Sequence, residues 1–206
     1  MSDSNQQRTP SRPVWLKKSL QGIAFWLGYR QSLYARRPLT ESSIVTELSD
    51  LIHTNLRNNL ELRGEVPFSK FLRGDLPATL GKQARVDLVV ATKLPRVAGQ
   101  RSKLRTEYII EVKRGDATKK SIDADLKRLW EVKNARPTRR TLLFVISEGK
   151  RPTRFTLSNG EPKGGPFPIP ERKGYFRVHD VYTATGSDGK SVHYACHIEV
   201  YVRKSA

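Results

Sequence analysis

The period of the apolar positions changes several times along the chain, and each change marks an element. Between residues 13 and 36, Trp15, Leu20, Ile23, Trp26, Leu27, Leu33 and Tyr34 mix with Lys17, Lys18, Arg30 and Arg36. That mixture predicts an aromatic and basic helix packed on the domain. Pro38 interrupts it, and Thr40 is placed to cap a second helix, TESSIVTELSDLIHTNLRN. Ile44, Val45, Leu48, Leu51, Ile52 and Leu56 form one stripe of that helix. The period then shortens to that of strands, at about 60–68, 84–93 and 106–115. In the second of these, alternation puts Val86, Leu88 and Val90 on one face and Asp87 and Val89 on the other. Asp116 or Thr118 opens a helix that runs through about Ala135, with Ile122, Leu126, Leu129 and Trp130 as its stripe. RTLLFVIS, residues 140–147, is almost wholly apolar, as a strand covered on both faces should be. A Pro/Gly-rich irregular excursion fills 149–174. Two strand-like runs around the turn SDGK close the chain as a hairpin.

The length of 206 residues suits one domain with appendages. The pattern divides it into a polar, disordered tail and basic helix (1–39), an α/β core (40–148) and the excursion with its C-terminal β-hairpin (149–206). Charge sharpens the picture, with 38 Lys and Arg against 20 Asp and Glu, a formal +18. So large an excess points to an anionic partner, nucleic acid first and an anionic membrane surface second. Stable membrane insertion is not expected, because the longest apolar patch near the N-terminus, GIAFWLGY, is too short to span a bilayer. No signal peptide pattern precedes it. Cys196 is the one cysteine, which excludes an intrachain disulfide and a Cys-rich zinc site and suits a cytoplasmic location. His53, His179, His193 and His197 carry no metal-site spacing and are read as structural or surface residues.

The candidate chemistry lies in TEYIIEVKRG, residues 106–115. Glu111 and Lys113 share one face of a strand that is otherwise strongly apolar. Asp87 lies in the strand before it, and Glu47 flanks the stripe of the preceding helix. Taken in order, R-V-D-L-V-V, then E-Y-I-I-E-V-K, then D-L-K-R-L resemble the PD-(D/E)XK nuclease superfamily over about residues 40–147. The residue before Asp87 is Val86 rather than proline, a departure that the family tolerates. The resemblance implies a restriction-endonuclease-like αβββαβ core, with a central mixed sheet flanked by helices and the C-terminal hairpin as an extension. It implies Asp87, Glu111, Lys113 and Glu47 as catalytic residues, and Asp87, Glu111, Glu47 and the Val112 carbonyl as ligands of Mg²⁺, for which Mn²⁺ could substitute. Carboxylates from neighbouring strands suit such a cation, which retains several waters and activates one of them. The lysine would orient or deprotonate the attacking water or stabilise the phosphate. Glu41 rivals Glu47, but an acid in a first helical turn is favoured by the helix dipole alone. Asp125 is read as a helix-surface or supporting residue rather than a ligand.

The basic residues then gain a use. Lys93, Arg96, Arg101, Lys103 and Arg105 in the loop between the second and third strands, with Lys119, Lys120, Lys127, Arg128, Arg136, Arg139 and Arg140, are candidates for a phosphate track. The expectation is a Mg²⁺-dependent endonuclease acting on DNA, in restriction, phage defence or a mobile element. It would work as a homodimer or with a partner protein, and without a small-molecule cofactor. Two alternatives stand beside it: a non-catalytic nucleic-acid-binding subunit of a larger complex, and an RNA endonuclease with the same site.

Overall fold

A computed structural model of the chain describes residues 12–34, 39–72, 80–81, 83–95 and 103–203. Among the described residues, three helices and seven strands appear in the order α1 (Val14–Tyr34), α2 (Glu41–Asn55), β1 (Leu60–Pro67), β2 (Arg85–Lys93), β3 (Leu104–Arg114), α3 (Lys119–Ala135), β4 (Arg140–Ser147), β5 (Phe167–Pro168), β6 (Gly174–Thr185) and β7 (Val192–Val202). A 3-10 turn, Phe68–Lys70, follows β1. The strands form one mixed sheet in the order β1-β2-β3-β4-β7-β6-β5. β1, β2 and β3 are antiparallel neighbours, β3 and β4 are parallel, and β7 runs antiparallel to both β4 and β6. The parallel step is possible because α3 carries the chain back across the sheet. The C-terminal hairpin is thus continuous with the central sheet: β7 lies directly against β4.

Helices cover both faces of this α/β sheet. Ile110 and Val112 of β3 and Leu142, Phe144 and Ile146 of β4 face α1 and α2, where they meet Leu20, Ile23, Leu27, Ile44, Leu48 and Ile52. The alternate residues Ile109, Leu143 and Val145 face α3, where they meet Ile122, Leu126, Leu129 and Val132. That double covering is why β4 is apolar at consecutive positions. Phe155 and Ile169 come from the Pro/Gly-rich excursion and complete the α3-side core. The aromatic N-terminal helix packs on α2 and on the β6–β7 hairpin, as its apolar content predicts.

Local signals explain most boundaries. The Thr40 hydroxyl accepts from the Ser43 amide at 3.1 Å and caps α2. Thr118, not Asp116, caps α3, accepting from the Ser121 amide at 3.2 Å. Asp116 is held instead by the Arg114 guanidinium at 2.9 Å. β3 begins at Leu104, earlier than its apolar run suggests, because Leu104, Arg105 and Thr106 pair with Lys93, Thr92 and Ala91. Simple alternation fails at the start of β2: Val86 packs with Val89 in the α3-side core, whereas Leu88 and Val90 face α2. Glu65, at φ +51°, interrupts the β1–β2 pairing opposite this point. Among the described residues, no helix is long and apolar enough to cross a membrane.

Candidate active site

The end of β3 is where the sheet gathers its acids. The register of β2 with β3 ends at Leu88 and Ile110. Beyond it, a side chain replaces the missing strand partner: Asp87 Oδ2 accepts from the Val112 amide at 2.7 Å. This bond holds the Asp87 carboxylate against β3. Val112 itself faces the α2 side and is fully buried.

Glu111 points the other way, toward α3, and is 2% exposed. Its Oε1 has no hydrogen-bond partner. The nearest cation is Arg128, whose Nε lies 3.7 Å from that oxygen. Burial first, and then the charge of Asp87, hold the Glu111 carboxyl well above the ordinary carboxylate range, against the opposing pull of Arg128. A buried carboxylate beside a second carboxylate resists ionising.

Lys113 follows two positions on. Its Nζ donates to Glu41 Oε1 at 2.6 Å and lies 3.4 Å from Asp125 Oδ2. Asp125 is 1% exposed, and its second oxygen is in contact with Arg128. Three carboxylates, Glu111 of β3, Glu41 of α2 and Asp125 of α3, therefore pair with two cations, Lys113 and Arg128, and a fourth, Asp87 of β2, adjoins Glu111.

Of the residues singled out from sequence, Asp87, Glu111 and Lys113 are brought together. Glu47 takes no part in these contacts. It lies six positions beyond Glu41 in α2, about 9 Å along the helix axis, and its carboxyl is raised by burial and by Asp50 rather than by this group. The acid of α2 that reaches Lys113 is Glu41. Asp125 is buried at the centre of the group rather than at the helix surface. Its signal was present in the sequence: it sits three after Ile122 and four before Leu129, inside the apolar stripe of α3.

Among the described residues, no group of three or more His, Cys, Asp or Glu side chains is arranged to hold a metal ion. Asp87 and Glu111 form a pair of carboxylates on adjacent strands, one of them with an unsatisfied buried oxygen. A pair of this kind fits a hard divalent cation that keeps most of its waters.

The basic residues separate into several surfaces. Lys93 lies at the α2 edge, its Nζ 3.3 Å from the Asn58 carbonyl. Lys119 and Lys120 are exposed in the first turn of α3, and Lys127 pairs with Glu171 at 2.8 Å. Arg128 belongs to the acid cluster. Arg140 is withdrawn from any track, because it forms a two-bond pair with Glu199 at 2.9 and 2.6 Å. Arg96 and Arg101 lie outside the described residues. Lys103, Arg105, Arg136 and Arg139 join Lys70 around a cleft of about 500 Å³ at the opposite end of β3.

A second polar group lies under α1. Besides Arg140, Glu199 is 3.2 Å from His179 Nε2, and His197 Nδ1 is 3.2 Å from Asp180 Oδ2. Burial lowers the proton affinity of the His197 ring. These groups brace the β6–β7 hairpin.

No protein-family model, curated protein or solved structure matches the chain.

Proposed function

We propose that the chain is a metal-dependent endonuclease of the PD-(D/E)XK type that hydrolyses phosphodiester bonds of DNA. The observation that carries the reading is the convergence of Asp87, Glu111 and Lys113 at one end of β3, within the element order α2-β1-β2-β3-α3-β4. Asp87 and Glu111 would hold Mg²⁺ or Mn²⁺. When bound there, such a cation supplies charge stabilisation at the phosphate and a water acidic enough to attack near neutral pH.

The chain's own residues do the rest. The Val112 amide fixes the direction of the Asp87 carboxylate. Glu41 and Asp125 set the Lys113 ammonium beside the carboxylate pair, where it can orient the attacking water or stabilise the charge that grows on the phosphate. Arg128, shared between Asp125 and Glu111, limits the repulsion among the acids. Cutting both strands of a duplex needs two such sites, supplied by a second copy or by a partner protein.

The test is cleavage of plasmid DNA by the purified chain in Mg²⁺ or Mn²⁺. Wild type should cut, and Asp87→Ala and Lys113→Ala should each lose cutting while remaining folded, with a single cooperative melting transition. Variants that cut as well as wild type would remove these residues from the site.

A second reading is favoured by the Lys113–Glu41 bond and by the raised carboxyl of Glu111. In it the chain is a nucleic-acid-binding subunit whose charges are locked to one another. Tight binding with no cleavage in either metal would select it, and cleavage of RNA in preference to DNA would redirect the substrate.

A further inference from the structure

The cleft between the start of β3 and the end of α3 gathers Lys70, Lys103, Arg105, Arg136 and Arg139. Among the described residues, no carboxylate lines it. Its arginines are anchored by hydrogen bonds of their side chains or backbone. Arg136 caps α3, and its Nε donates to the Phe71 carbonyl at 2.9 Å. Lys133 Nζ donates to the Arg139 carbonyl at 2.6 Å and ties down the turn that carries Arg139. Arg105 stands at the rim, bonded to Glu107 at 2.7 Å. Phe71 is buried in the core and offers no exposed aromatic anchor of the kind a protein partner favours.

The cleft and the carboxylate pair share one side of the sheet. Phe71 belongs to the core on the α3 side, and Glu111 meets Arg128 of α3. Arg105 and Glu111 are six residues apart in one strand, which is about 20 Å. A duplex advances about 3.4 Å per nucleotide along each strand, so 20 Å spans about six nucleotides.

We infer that this cleft seats backbone phosphates of a DNA duplex about six nucleotides from the bond cut at the carboxylate pair. The position of the cut rests on the endonuclease reading; the binding does not. The cleft acts by charge and carries no sequence information, because phosphate contacts position the duplex without reading its bases.

The experiment is fluorescence anisotropy with a duplex of about 20 base pairs in EDTA, over a salt series. Wild type is compared with a Lys70→Gln, Lys103→Gln, Arg139→Gln triple variant. Each lost phosphate contact lowers the slope of log affinity against log salt by about 0.9, so the triple variant should lose roughly 2 to 3. In Mg²⁺ the same variant should show a raised KM and an unchanged kcat. If it fails to fold, Lys70→Gln alone, exposed on its 3-10 turn, should lose about 0.9. An unchanged slope overturns the inference. So does a variant that loses binding to polyglutamate while keeping that to DNA, which would assign the cleft to an acidic protein. A wild type that binds with the expected slope but cuts nothing leaves the cleft in place and removes the endonuclease reading instead.

Discussion

Replacing Glu111 by Gln should stabilise the metal-free protein at neutral pH while abolishing cleavage. The folded state holds this carboxyl above its ordinary value of 4.5, chiefly by burial and then by Asp87. A group with a raised folded value contributes its full stability below 4.5 and loses it as pH rises toward the folded value. Each pH unit in that window costs the wild type about 1.4 kcal/mol. The opposing effect is Arg128. At 3.7 Å, and with an effective dielectric near 20, its attraction to an ionised Glu111 is about 4.5 kcal/mol. That guanidinium is closer still to Asp125, so much of its field is already committed. Gln keeps the shape, needs no ionisation and can donate to the Asp87 carboxylate.

The assay is a pair of melting curves in EDTA from pH 4 upward. For a chain of this length, 1.4 kcal/mol moves Tm by roughly 3–6 °C. The two proteins should therefore melt together near pH 4.5 and diverge by about that amount per pH unit, with the variant higher. Adding Mg²⁺ should raise the Tm of wild type and leave that of the variant unmoved, because a bound cation favours the ionised pair. A gap that does not change with pH, or a wild type more stable than the variant at pH 7, would refute the account of Glu111 as a strained acid kept for binding.

Glu41→Gln should alter the pH profile of cleavage by releasing Lys113 from its 2.6 Å bond, whereas Glu47→Gln should cut like wild type; kcat measured across pH distinguishes them. Although burial pushes Glu199 up, His179 and Arg140 together hold its carboxyl well below the ordinary range. Its contribution is thus present above pH 4.5 and lost as pH falls toward the folded value. Glu199→Gln should cost about 3 kcal/mol at pH 7 by leaving Arg140 without its partner, seen in denaturant titration, and should flatten the acid flank of the stability curve. A Cβ on Gly115 would lie 2.2 Å from Ser147 Oγ and 3.0 Å from its Cα. Gly115→Ala should therefore cost about 1–3 kcal/mol and reduce cleavage by moving Lys113, two residues away; denaturant midpoints and initial rates check both.

The sequence alone determined most of the elements and three of the side chains that meet at the end of β3. Periods of two and of about 3.6 residues are local properties, so β3, β4, α2 and α3 were legible, as was the shared face of Glu111 and Lys113. The apolar run of β4 revealed a strand covered on both sides before any helix was placed. The tertiary structure decided what lies between elements. Which acid of α2 meets Lys113 depends on how that helix docks over the end of β3, and no periodicity within the helix distinguishes Glu41 from Glu47. Asp125 became the buried partner of two cations because α3 packs across β3 and β4. Register withdrew Arg140 into a pair with Glu199, since these residues are far apart in sequence and meet only where β4 lies along β7. Packing likewise gathered Lys70 with Arg136 and Arg139 at one end of β3 and the acids at the other. A chain shows the charges it carries; the distances among them are set by docking and register, which are non-local.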